Sequence, residues 1–223
     1  MLPEAILLGP LVIKATLIVT LLGLVGGGLF FYYTSPYDNA LKKRHSNKLL
    51  DVVLYTMIFT IVAKVILNVS LFFDDPVAVL AYPSDSSAFY LATLGVIVVM
   101  TWSLIKTRTE IVSLIDSLFR LIVGSQFVQL FLTLVLTTYH VSMLQIGLLF
   151  VTLLLLVFLT KQPLNVLTEI GVIGVYTIGA FGLSFIETMP FFNFYVHGSY
   201  YLFLGFILSA PLFWSHKHTT ERR

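Results

Sequence analysis

Three cations stand inside long apolar runs of this sequence: Lys14, Lys64 and Arg120. A charge at the centre of a bilayer costs at least ~2.5–3.5 kcal/mol, so each needs a partner, a wet cavity or an interface to reach. Asp116 precedes Arg120 by four residues, the acid-then-base spacing that brings two side chains together on one helix face. A mutual Asp116–Arg120 pair is therefore expected. Lys14 and Lys64 have no acidic residue at helical spacing. For them the choice is between a polar cavity or anionic-lipid site and snorkelling to the headgroups. Gln126, Gln129, His140 and Gln145 add neutral polar groups to the fourth and fifth apolar runs. Their plain use is hydrogen bonding between helices, worth ~0.6–2 kcal/mol each. His140 falls at a hairpin between two runs, where an interfacial role outweighs a catalytic one.

Few other chemistries are open. There is no Cys, which excludes thiol catalysis, disulfides and thiolate metal sites. No HExxH, GxSxG, P-loop or paired-carboxylate pattern lies in or beside a run. Glu169 and Glu187 border the sixth run at opposite ends and are not expected to work as one acid–base pair. No metal site and no cofactor are expected.

The elements that carry these residues follow from composition. With 58% hydrophobic and 11% charged residues, the 223-residue chain has half the charge of a soluble domain. A mean hydropathy of +0.96 points the same way. A soluble enzyme, a disordered chain and a nucleic-acid binder are excluded, the last also because a net charge of +2 cannot track a phosphate backbone. Seven runs approach the ~20 apolar residues that a membrane crossing needs. They are Ala5–Tyr33, Leu49–Phe73, Ala88–Leu104, Ile111–Thr137, Val141–Thr160, Val166–Ile186 and Phe192–Trp214. Thr138, Tyr139 and His140 alone separate the fourth from the fifth. The first run follows Glu4 and lacks a basic leader, so it is expected to stay as a span. The expected fold is all-α, a single integral membrane domain over 1–223 with seven transmembrane helices.

Charge orients them. Lys42, Lys43, Arg44 and Lys48 fall in a basic loop at 34–48. Lys106 and Arg108, then Lys161, then Lys217, Arg222 and Arg223 fall in later connections on the same side. The opposite connections carry Glu4, Asp74, Asp75, Asp85 and Glu187. Basic residues gather on the cytoplasmic side, which gives an outer N-terminus and a cytoplasmic C-terminus. The one sizeable outer segment is the loop at 74–87. Pro76 and Pro83 discourage a continuous helix there, and Val77–Tyr82 is apolar enough to lie in the interface. Gly26, Gly27, Gly28, Gly171, Gly174 and Gly179 permit close helix approach.

The order of these segments resembles the prolipoprotein diacylglyceryl transferases. Their first-span GPLxIRxYG is similar to Gly9-Pro10-Leu11-Val12-Ile13-Lys14-Ala15-Thr16-Leu17. Their second-span DLLLW…GAR is similar to Asp51-Val52-Val53-Leu54-Tyr55 through Val62-Ala63-Lys64. A DPL-type outer segment matches Asp75-Pro76-Val77, and AFHGGLLG matches Ala88-Phe89-Tyr90-Leu91-Ala92-Thr93-Leu94-Gly95. The LGxxxGRIGNF of the fourth span resembles Val123-Gly124 through Gln129 and Leu132, and HPTQLYE resembles His140-Val141-Ser142-Met143-Leu144. The sixth-span YGxxRFxxE resembles Tyr176 through Phe181, and LSLPL resembles Leu208-Ser209-Ala210-Pro211-Leu212. Single motifs are weak, and their collinearity over nearly the whole chain carries the resemblance.

The resemblance implies transfer of a diacylglyceryl group from phosphatidylglycerol to the lipobox cysteine of a membrane-bound preprolipoprotein, in a bacterial plasma (inner) membrane. Lys14, Lys64, Arg120 and Gln129 would then face the lipid phosphate, and Tyr90 and His140 are the catalytic candidates. The departures weaken the chemistry. Lys14 and Lys64 stand for arginines and lose the bidentate fork that suits phosphate. Thr16 stands for a Tyr, Tyr90 for a His, and Leu91 and Ala92 for two glycines. Gln129 and Leu132 replace an Arg and an Asn, and Ala180 and Ser184 replace an Arg and a Glu. Losing one group that stabilises developing charge typically costs ~10²–10³ in rate. The expectation is a catalytically degenerate relative that keeps a phospholipid- or lipoprotein-binding cavity. The alternative is an active transferase with a rearranged site.

Overall fold

The computed structural model describes residues 5–8, 11–81, 85–106, 111–137, 139–159 and 165–220, with side chains for 14–79, 85–102, 111–137, 139–159 and 165–215. Glu4, Gly9, Pro10, Tyr82, Pro83, Arg108, Thr138, Thr160, Lys161, Arg222 and Arg223 lie outside the described residues. The chain divides into two compact units, one formed by Met1–Lys42 with Ile111–Arg223 and the other by Lys43–Glu110.

The first apolar run is not one helix. Ala5–Leu8 (β1) and Leu11–Lys14 (β2) pair antiparallel, with Ala5 opposite Lys14, and helix α1 spans Ala15–Thr34. Pro10 gives the physical reason. It donates no N–H and its ring clashes with the carbonyl four residues back, at a cost of ~3 kcal/mol inside a helix. Helix α2, Asn39–Leu67, begins ten residues before the expected second span. The basic stretch is therefore mostly helical rather than a loop, with Lys42, Lys43, Arg44 and Lys48 on the first turns of α2.

Asn68 ends α2: its amide Nδ2 donates to the Lys64 carbonyl at 2.9 Å, and a short helix α3 follows at Val69–Asp74. Inside the segment expected to be an interfacial loop, α4 covers Pro76–Ala81. Pro76 is its first residue, where a missing N–H costs nothing, and the Asp75 carboxylate accepts from Ala78 N at 2.9 Å. Asp85 caps α5, Ser86–Lys106, in the same way, accepting from Ala88 N at 2.9 Å. Helix α6 spans Ile111–Leu136. The Ser142 hydroxyl accepts from Gln145 N at the start of α7, Met143–Leu159. Asn165 caps α8, Val166–Leu183, through Leu167 N.

The seventh run also begins differently from expectation. Pro190–Phe191 (β3) and Phe194–Tyr195 (β4) form a small antiparallel hairpin, and only then does α9 run from Ser199 to Thr220. Phe192 and Asn193, at the hairpin tip, have φ of 48° and 69°. Two successive positive φ values turn a hairpin in the sense that matches strand twist, and a helix cannot pass through them. The chain is thus predominantly helical, with two short hairpins among the described residues that an all-α reading omits.

Four described helices are long and apolar enough to cross a membrane: α1, α2, α6 and α8. Three shorter apolar stretches accompany them, Ser86–Trp102, Met143–Leu159 and Ser199–Ser215. These are the helices of a multi-pass membrane protein. In the first unit α1 packs most extensively on α6, and α7, α8 and α9 complete the packing. The buried positions of α1 are Ala15, Val19, Gly23, Gly27 and Phe31, one stripe at intervals of four. Leu17, Val25 and Leu29 point away and stay exposed. At Gly27 an added Cβ would stand 2.5 Å from Ser125 N and 2.7 Å from the Leu121 carbonyl. Glycine is required there because backbone touches backbone.

Within the second unit, Gly95 of α5 faces the Phe59 ring of α2, and Phe59 in turn neighbours Tyr55 with centroids 6.3 Å apart.

Candidate functional site

The densest ionisable cluster among the described residues lies in the first unit. Arg120, on the third turn of α6, is 1% exposed and Asp116 is fully buried. Arg120 Nε donates to Asp116 Oδ1 at 2.8 Å and Oδ2 at 2.9 Å, while Nη2 lies 2.7 Å from Oδ1. The third guanidinium nitrogen, Nη1, donates to Thr34 Oγ1 at 3.5 Å, at the end of α1. Tyr37, in the connection after α1, donates its hydroxyl to Asp116 Oδ2 at 2.9 Å. Burial and the Asp116 carboxylate beside it push this phenol well above its ordinary range, so it remains a donor at any accessible pH.

Glu169 completes the cluster from the first turn of α8. It is 4% exposed, within electrostatic reach of Asp116 and Arg120. Its Oε1 is buried without a hydrogen-bond partner among the described residues. Three separate segments therefore converge on Asp116: α6 itself, the α1–α2 connection and the start of α8.

A second polar cluster ties the other end of α1 to its neighbours. Gln129 Nε2 donates to Thr20 Oγ1 at 3.2 Å, and Asn193 Nδ2 at the β3–β4 tip donates to the same oxygen at 2.7 Å. The Thr20 hydroxyl donates to the Thr16 carbonyl at 2.7 Å. Gln129 thus serves as an interhelical link. Gln126 accepts from the Tyr176 hydroxyl at 3.2 Å, and Gln145 Nε2 donates to the Pro190 carbonyl at 2.9 Å. One polar end of each amide, Gln126 Nε2 and Gln145 Oε1, is buried without a hydrogen-bond partner among the described residues.

Within the first unit, neither Lys14 nor His140 has a hydrogen bond to either cluster among the described residues. Lys14 is exposed at the start of α1. Arg120 touches Thr34 at the other end, so at 1.5 Å per residue the two cations stand about 30 Å apart along α1. They do not share one phosphate. His140 is exposed in the connection between α6 and α7. Lys64 and Tyr90 belong to the second unit, with Lys64 8% exposed and Tyr90 half-buried. Ala180, at the position of a family Arg, is fully buried, and Ser184 donates its hydroxyl to the Phe181 carbonyl at 2.6 Å. No group of three or more His, Cys, Asp or Glu suited to a metal occurs among the described residues.

Sequence reasoning missed Tyr37 as a partner of Asp116 and Glu169 as a buried carboxyl near the pair. A signal was present in the alternation of the runs. Tyr37 follows the first run, Asp116 opens the fourth and Glu169 opens the sixth, which puts all three on the side of the basic connections.

No protein-family model, curated protein or solved structure matches the chain.

Proposed function

We propose that this protein is a non-catalytic multi-pass membrane protein on a diacylglyceryl-transferase-like plan, which contacts anionic phospholipid but does not turn it over. The supporting observation is that the interior groups of the first unit suited to a lipid phosphate are engaged by the protein. All three nitrogens of the Arg120 guanidinium face Asp116 or Thr34. The Gln129 amide is given to Thr20. Transfer chemistry needs free positive charge where the glycerol phosphate departs. An arginine that already forms a close ion pair supplies little. Lys14, exposed at the start of α1, is placed to meet a headgroup. In this reading the chain resides in a bacterial inner membrane, with phosphatidylglycerol as the lipid.

The test is transfer itself. Purified protein is incubated with phosphatidylglycerol and a lipobox peptide beside a motif-complete transferase. No transfer above background is expected, together with retained phosphatidylglycerol binding that Lys14→Ala weakens. Transfer at more than a trace of the reference rate, abolished by Lys14→Ala or Lys64→Ala, would establish the active-transferase alternative instead.

A further inference from the structure

We propose that the β3–β4 hairpin is a strained strap, latched to α1 through Asn193 and able to lift from the Thr20–Gln129 link beneath it. Its root and its tip are held unequally. At the root, the Met189 carbonyl accepts from the Tyr201 hydroxyl at 3.2 Å and the Pro190 carbonyl from Gln145 Nε2 at 2.9 Å. Met189, Tyr201 and Gln145 are buried. Phe191, also buried, packs its ring 5.3 Å from that of Tyr200 and 6.1 Å from that of Tyr201. At the tip, the hold is the hydrogen bond from Asn193 to Thr20, which lies at an exposed position. Water can replace an exposed hydrogen bond at little net cost, but not a buried one.

The tip is also strained. Phe192 has a φ of 48° and Asn193 a φ of 69°. Asparagine tolerates the left-handed region because its short side chain bonds locally, whereas a bulky aromatic residue there is an outlier. Two-residue turns of this hand favour Asn-Gly, and this one is Phe-Asn. Such a conformation persists only where its surroundings hold it. One exposed hydrogen bond and one left-handed phenylalanine are of the same order and of opposite sign. The tip therefore has two arrangements close in free energy. In one it is latched with Phe192 left-handed, and in the other it is lifted with Phe192 relaxed, while the buried root stays in place.

The latch covers the second polar cluster. Asn193 Nδ2 and Gln129 Nε2 both donate to Thr20 Oγ1, so the tip lies against the Gln129 amide. Lifting it opens this amide–hydroxyl pair, at the contact of α1 with α6, to the surroundings. The device operates whether or not the protein transfers lipid.

Cysteine labelling tests this in the full chain, which has no native cysteine. A thiol placed by Gln129→Cys, at a buried position, should react slowly with a small thiol reagent, at a rate set by the lifted population. Adding Asn193→Ala should speed labelling ~2–10-fold, the factor that one neutral hydrogen bond supports. Adding Phe192→Asn instead should slow it, because asparagine keeps the left-handed turn without the strain. A rate that Asn193→Ala leaves unchanged or lowers would overturn the proposal. So would a rate that Phe192→Asn leaves unchanged or raises. Should Gln129→Cys fail to fold, hydrogen exchange with Gln129 intact decides. Asn193→Ala should then speed exchange of the backbone amides at 191–195 and Phe192→Asn should slow it, and equal exchange in both variants and the parent would defeat the latch.

Discussion

At the scale of single residues, Arg120 and Asp116 illustrate how a buried pair depends on both its members. Removing one partner leaves the other charged and desolvated, a loss of ~3–5 kcal/mol for buried pairs. Asp116→Asn and Arg120→Ala are each expected to destabilise the protein by about that amount in reversible detergent unfolding. Replacing both with apolar residues of similar volume should recover most of the loss. Stability of the double variant no better than that of the singles would refute mutual pairing. Gln129→Leu should cost less, ~0.6–2 kcal/mol, because it removes one neutral interhelical bond and leaves Thr20 with Asn193 as a donor. Much at this scale was legible. Asp116 and Arg120 are four apart on one helix, and local geometry alone sets that contact. The hydrogen bond from Tyr37 to Asp116 joins residues 79 positions apart, which no helical period encodes.

At the scale of elements, the α1–α6 contact rests on a row of small residues. Gly27→Ala would place a methyl against the backbone at Ser125 and Leu121, which cannot swing aside. A cost of ~1–3 kcal/mol is expected, typical of an overpacked contact. Gly28→Ala is the control. Nothing lies within 4 Å of its added Cβ, so the variant should be neutral or gain up to ~1 kcal/mol of helix propensity. Equal effects at the two positions, read from unfolding midpoints, would rule out glycine-mediated approach. The sequence marked Gly26, Gly27 and Gly28 together without separating them. Burial separates them, since one turn of helix points only some of three consecutive residues at a neighbour. Hairpins β1–β2 and β3–β4 escaped the hydropathy reading for a related reason. Apolar content is high in a strand and in a spanning helix alike, so mean hydropathy cannot tell them apart. Pro10 and the Phe192-Asn193 pair were the local marks that could.

For the whole molecule, orientation in the membrane is the testable property. A reporter fused after Arg223 is expected to be active only in the cytoplasm, and Asp85→Cys should react with an impermeant thiol reagent from outside. The chain has no native cysteine, so the label reports that site alone. Labelling of Asp85→Cys only from the cytoplasmic side would invert the topology and remove the segment order on which the transferase resemblance depends. The sequence by itself determined the membrane class, most of the helical runs and the segregation of basic residues, because these depend on composition and on neighbours within a few turns. Tertiary structure alone decided which charges are used up. Lys14 and Arg120 read as equivalent intramembrane cations in sequence, yet one is exposed at the start of α1 and the other is sealed under Asp116 about 30 Å away. The physical reason is that a charge's availability depends on what long-range packing brings beside it.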